Sequence, residues 1–155
     1  MGDIRQDILS DVRVKLTEMF DRNFTEQGFF GKKWTSTKVS KTNRAGQRGS
    51  ILIVTGAMRR SIRSIVRGDA VVFTSDKPYT ALHNEGGNFT ANVRQHNRSS
   101  KKGNPYTVRA HTRTGTMPQR QFIGDHERVR EAIGGIVYKN VARFSKELAD
   151  KLRQK

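Results

Sequence analysis

The chain has 155 residues, enough for one domain of ordinary size. Only 34% of them are hydrophobic, which suggests a modest core carrying solvated extensions. It contains no cysteine, which excludes a disulfide framework and thiolate metal sites, and its formal net charge is +16.

The placement of the charge is more informative than its size. No Asp or Glu lies between Glu26 and Asp69, a stretch with ten Lys or Arg residues from Lys32 to Arg67. None lies between Glu85 and Asp125, where seven more run from Arg94 to Arg120. The rest of the chain is close to neutral, with thirteen basic and fourteen acidic residues. No apolar run approaches the ~20 residues that span a bilayer. The start, Met1-Gly2-Asp3-Ile4-Arg5, lacks the basic and apolar regions of a signal peptide. Manufacture and use in a cytoplasm, without a membrane, are therefore expected.

Residues 3–24 read as an amphipathic helix, because Ile4, Ile8, Val12, Leu16, Phe20 and Phe24 recur every four positions. Asp3 is placed to cap it and Gly28 to stop it. Residues 29–50 read as an exposed basic loop around the single Trp34. Ile51–Val54 is a short apolar run, expected to be a strand that Thr55-Gly56 ends while capping one helical turn at 57–61. Ile62–Val66 and Ala70–Thr74 read as a hairpin across Arg67-Gly68-Asp69. Pro78 opens a short helix with Tyr79, Leu82 and His83 on one face, closed by Gly86-Gly87.

Residues 88–116 read as an extended basic hairpin arm. Its strands are Phe89–Val93 and Tyr106–Ala110, and its tip is Asn97–Asn104. A second long helix covers about 126–153, with Gly134-Gly135 as a weak point. The expected architecture is α+β: a single domain over 1–155, with two long terminal helices packed on a small antiparallel sheet and basic arms extending outward.

No catalytic constellation emerges. His83, His96, His111 and His126 lack the spacing of a helical zinc site. His96-Asn97-Arg98 matches a fragment of a nuclease pattern but has no nearby carboxylate to hold a metal. No enzymatic activity, metal or cofactor is expected; a small nuclease is the enzymatic rival. The acid-free segments instead point to a polyanion or an acidic partner surface. The residues expected to face DNA or a protein interface are Lys32, Lys33, Trp34, Lys38, Lys41, Arg44, Arg48, Arg94, Arg98, Lys101, Lys102, Arg109, Arg113 and Arg120. Trp34 fits an interface or a core equally well. Neither a helix-turn-helix nor a basic recognition helix is visible, so any DNA contact should be blind to sequence and sensitive to salt.

Three segments, in order, carry a family resemblance. Ile51-Leu52-Ile53-Val54-Thr55-Gly56-Ala57-Met58-Arg59-Arg60-Ser61-Ile62 resembles an "L-x-x-T-G-x-L-x-x-S-I" stretch. Pro78-Tyr79-Thr80-Ala81-Leu82-His83-Asn84-Glu85-Gly86-Gly87 resembles "Y-A-x-x-H-x-x-G". Met117-Pro118-Gln119-Arg120-Gln121-Phe122-Ile123-Gly124 resembles "I-P-A-R-P-F-L-G", with Gln119 and Gln121 where Ala and Pro are usual. Together they resemble the phage virion morphogenesis family, which includes tail-completion proteins of Mu-like phages.

The resemblance implies a structural virion protein, without activity or cofactor, in a ring at the head–tail junction. By analogy the ring has six copies. Its implied partners are tail tube or terminator and head connector proteins, with genomic DNA in the lumen. Within the motifs, Thr55 and Gly56 are expected to cap. Tyr79 and His83 are expected to pack the short helix on the sheet, His83 as a hydrogen-bonded structural histidine, and Gly86 to end that helix. Pro118 and Phe122 are expected to return the chain to the core, and Arg120 to pair with an acid on a neighbouring subunit. The rival from another class is a stand-alone nucleic-acid-binding protein without sequence specificity.

Overall fold

The computed structural model describes residues 3–35, 51–53 and 55–154. Helix α1 spans Ile4–Glu26, and the Asp3 carboxylate caps it by accepting from the Arg5 N–H at 3.0 Å. It ends at Gln27, in the left-handed region with φ 55°, one residue before the expected Gly28. The apolar stripe is the buried face: Val12, Leu16, Phe20 and Phe24 are all under one-tenth exposed.

The segment expected to be exposed from residue 29 onward opens instead with a small hairpin, β1 (Gly28–Phe29) and β2 (Lys32–Lys33). Phe29 is buried against α1, so this turn belongs to the body. Residues 51–53 form a turn rather than a strand, with Leu52 at φ 65°. Their apolar side chains nevertheless pack against the core.

Helix α2 (Ala57–Ser61) begins after Gly56, which is left-handed at φ 65° and makes no side-chain cap. The Thr55 hydroxyl accepts from the Ala57 N–H at 3.3 Å. The Arg59 guanidinium grips the Asp21 carboxylate through two nitrogens, fixing α2 to α1.

Strands β3 (Ile62–Arg67) and β4 (Ala70–Ser75) form the expected hairpin, paired from Ile62↔Ser75 to Arg67↔Ala70. Gly68, at φ 58°, makes its tight turn. Phe73 of β4 stacks edge-on against Phe20 at 5.1 Å between ring centres. Helix α3 (Thr80–Glu85) follows Pro78 and closes at Gly86, whose N–H donates to the Leu82 carbonyl.

A long ribbon then leaves and re-enters the body. It consists of β5 (Gly87–Val93), β6 (His96–Ser99), β7 (Pro105–Val108) and β8 (His111–Met117). Helix α4 (Glu127–Arg153) closes the fold, capped by the His126 ring, and runs through Gly134-Gly135 without interruption. It lies antiparallel to α1: Asp11 meets Asn140 at 2.9 Å, while Asp7 meets Arg143 at 2.8 Å. Val129, Ile133 and Ile136 face the core. The apolar positions further along, Val137, Val141, Leu148 and Leu152, are exposed.

The core has two adjoining parts. Val12, Leu16, Phe20, Phe29 and Val129 form one; Phe24, Trp34, Met58 and Phe122 form the other; Ile123 packs against both. The fold is α+β, with small antiparallel sheets and a long helix at either end.

Candidate functional site

The ribbon's two ladders share one register. Gly87 pairs with Met117, Val93 with His111, His96 with Val108 and Ser99 with Pro105. The pairing therefore continues in step across the break at 94–95 and 109–110. There the Nδ1–H groups of His96 and His111 donate to the carbonyls of Arg94 and Arg109, each at 2.9 Å. The expected strands were shorter and paired 89–93 with 106–110; in the structure Phe89 faces Gly115 instead. A Cβ on residue 115 would lie 2.8 Å from the Phe89 ring, so the ring covers the bare backbone opposite.

Along one face Thr/Asn pairs stand directly opposite each other. Thr116 donates to Asn88 at 2.8 Å and Thr112 to Asn92 at 3.3 Å. At the tip the Ser100 N–H donates to the Asn104 carbonyl and the Gly103 N–H to the Ser100 carbonyl. Thirteen residues per strand at ~3.4 Å each make the ribbon roughly 44 Å long. No residue from Gly87 to Met117 is buried, and among the described residues neither outer edge pairs with another strand.

Arg94, Arg98, Lys101, Lys102, Arg109 and Arg113 all lie exposed on this ribbon. None of them makes a salt bridge within the described residues. Lys32 and Lys33 are exposed on the separate β1–β2 hairpin, where the Lys33 ammonium donates to the Glu26 carbonyl. Lys38, Lys41, Arg44 and Arg48 lie outside the described residues. The structure thus gathers six of the expected cations on one element and places Lys32 and Lys33 elsewhere.

Trp34 and Arg120 are not at the surface. Trp34 is buried edge-on against Phe24 at 5.8 Å, and its indole N–H donates to the Gln121 carbonyl at 2.7 Å. It packs the core because an aromatic ring with a satisfied N–H is most stable away from water. Arg120 is 4% exposed.

The ribbon is anchored where its returning strand meets α3. The Arg120 N–H donates to the His83 carbonyl at 2.8 Å. The Asn84 side-chain oxygen accepts from both Phe122 and Ile123 N–H groups at 3.0 Å. Asn23, 1% exposed, donates to the Phe122 carbonyl at 3.0 Å and accepts from the Phe30 N–H at 3.1 Å. Phe122, fully buried, packs on Phe24 at 4.7 Å. Pro118 stays exposed just before this segment.

Gly86 has φ 73°, and a Cβ there would lie 2.8 Å from the Gln119 backbone nitrogen. Only glycine lets the two segments approach so closely. The second and third sequence motifs are therefore two halves of one backbone clamp. Asn23 and Asn84, which complete it, were not singled out from the sequence. Their only signal is an Asn on or beside an apolar face.

Tyr79 is 41% exposed and meets the half-buried His83 ring edge-on at 6.1 Å. Both line a cavity of about 180 Å³ with Leu52, Thr55 and Met58, rather than packing α3 on a sheet. Among the described residues the buried Nδ1 of His83 has no hydrogen-bond partner, nor has the buried Nε of Arg120. Burial, and next the nearby Arg120 charge, hold the His83 pKa below its usual value. Burial also lowers that of Arg120.

Among the described residues no cluster of three His, Asp or Glu side chains could hold a metal ion, and no helix is long and apolar enough to cross a membrane. No curated protein and no solved structure matches the chain. A family model does match, over residues 2–142, which takes in α1, the clamp, the whole ribbon and most of α4. The chain belongs to the phage virion morphogenesis family.

Proposed function

We propose that this chain is a non-enzymatic subunit of the tailed-phage neck, which completes the tail and joins it to the head as a ring of identical copies. Family membership supports a structural role in virion assembly. The observation that carries the finer reading is the ribbon. A two-stranded ribbon is marginal alone in water and gains stability by packing against something. This one is exposed on both faces, has edges that pair with no other strand among the described residues, and bears six cations with no acid. Such an element suits docking onto another virion component or lining a DNA path, while the α1–α4 body holds its base.

Six copies is the number carried over from the family, and rotation about one axis would close their contacts. Tail tube or terminator proteins and the head connector are the partners this role requires. Genomic DNA in the lumen is a further, sequence-independent contact. The place of action is then the neck of the virion, assembled in the host cytoplasm.

The test is sizing and negative-stain imaging of the purified chain mixed with headless tails. Rings seated on tail ends are expected. A chain that stays monomeric and ignores tails, yet binds duplex DNA with steep salt dependence, would instead support the stand-alone nucleic-acid-binding reading.

A further inference from the structure

Arg120 is a buried cation without a counter-charge. It is 4% exposed, and among the described residues its only side-chain hydrogen bond runs to the Met117 sulfur at 3.4 Å. Its Nε has no partner among the described residues. Among the described residues no carboxylate lies within salt-bridge reach of it. The remaining residues (1–2, 36–50, 54 and 155) contain no Asp or Glu, so no acidic side chain of this chain neutralises it. A thioether is a weak acceptor and carries no charge to neutralise a guanidinium. Chains seldom keep such a group unless something from outside completes it.

His83 repeats the pattern beside it. Its carbonyl holds the Arg120 N–H, its buried Nδ1 has no partner among the described residues, and it feels the Arg120 charge. The cavity bordered by His83 has buried Met58 inside and exposed Thr55 and Tyr79 at its rim. We infer that His83 and Arg120 form a socket for the Asp or Glu carboxylate of a second polypeptide, filled when this subunit joins its neighbours. This deepens the assembly reading and rests on it for the partner's identity. A carboxylate accepts from both donor types and supplies the missing negative charge. His83, and not Arg120, lines the cavity of about 180 Å³; a group that reaches Arg120, at 4% exposure, must be as slender as a single side chain, which favours protein over a duplex backbone.

The decisive probe is free acetate on the isolated full-length chain, compared with chloride at equal ionic strength. Acetate is expected to raise the melting temperature of the wild type and to leave that of Arg120→Met unchanged. Arg120→Met, which removes an unpaired buried charge at similar volume, should melt at or above the wild type in chloride. It should also fail to support joined particles. Arg120→Lys keeps the charge without the fork and should give a weaker acetate response.

Equal acetate responses in wild type and Arg120→Met would overturn the socket. So would a collapse of Arg120→Met in chloride, which would make the guanidinium part of the fold. A response to inorganic phosphate with none to acetate would overturn the choice of a carboxylate. Failure of the neck reading shows separately, as normal particles formed without this chain, and does not alter the acetate result.

Discussion

The body and the ribbon solve opposite problems with the same kind of backbone pairing. In the body, charges are answered locally: Asp21 by Arg59, Asp7 by Arg143, Asp125 by Arg130 at 3.0 Å, and Glu18 by Lys15 and Arg22. Its apolar residues converge on two adjoining clusters, and buried Asn23 and half-buried Asn84 satisfy the backbone where the chain re-enters. In the ribbon no cation is answered within the described residues, and no side chain is buried. The body spends its sequence on stability. The ribbon commits its sequence to reach and exposed positive charge.

Substitutions should separate the two regions in graded steps. The largest effect is expected for Phe122→Ala, which empties the centre of the second cluster and should cost about 3–5 kcal/mol in urea unfolding. Tyr106→Ala, on the exposed ribbon, should change that free energy by no more than about 0.5 kcal/mol. Similar losses for both would erase the distinction. Asn84→Ala removes the acceptor for two N–H groups and should cost about 1–3 kcal/mol, measured the same way. Gly86→Ala forces a side chain into a left-handed position against Gln119 and should cost at least about 1–2 kcal/mol.

Acidification should weaken the clamp. The folded-state pKa of His83 is depressed, so the unfolded chain binds its proton more readily. The stability this group supplies is present above the ordinary histidine pKa of about 6.5 and is lost as pH falls below it towards the folded value. Melting temperature against pH should therefore slope downward on the acid side, and His83→Gln should flatten that slope. The smallest effect has the opposite sign. Gly134→Ala and Gly135→Ala sit in an uninterrupted helix with open space for a methyl, and each should stabilise by about 0.5–1 kcal/mol.

Elements with a strong period were legible in the sequence. The four-residue stripe of α1 and the β-branched runs about Gly68 ended up within one or two residues of their expected bounds. The ribbon was legible as an arm but not in register, because Thr, Asn and Arg on both faces give no alternation to fix the pairing. Trp34 could not be assigned from composition, since its basic neighbours pointed outward while its ring packs inward on Phe24. In α4 the helical apolar spacing runs on past the core to Leu148 and Leu152, which are exposed, so spacing alone does not mark where the buried face ends. The clamp was the least visible feature. Its partners, Asn23, Asn84 and the Phe122 backbone, meet across 38 to 99 residues of sequence, and hydropathy carries no trace of that.

The most direct test is a chain whose ribbon is cut back. Removing residues 94–110 and joining Val93 to His111, which already face each other, through Asn-Gly keeps the base of the ladder intact. The account predicts an unchanged cooperative melt and, in infected cells, heads and tails that remain separate. Complete infectious particles at normal yield from the shortened chain would contradict it.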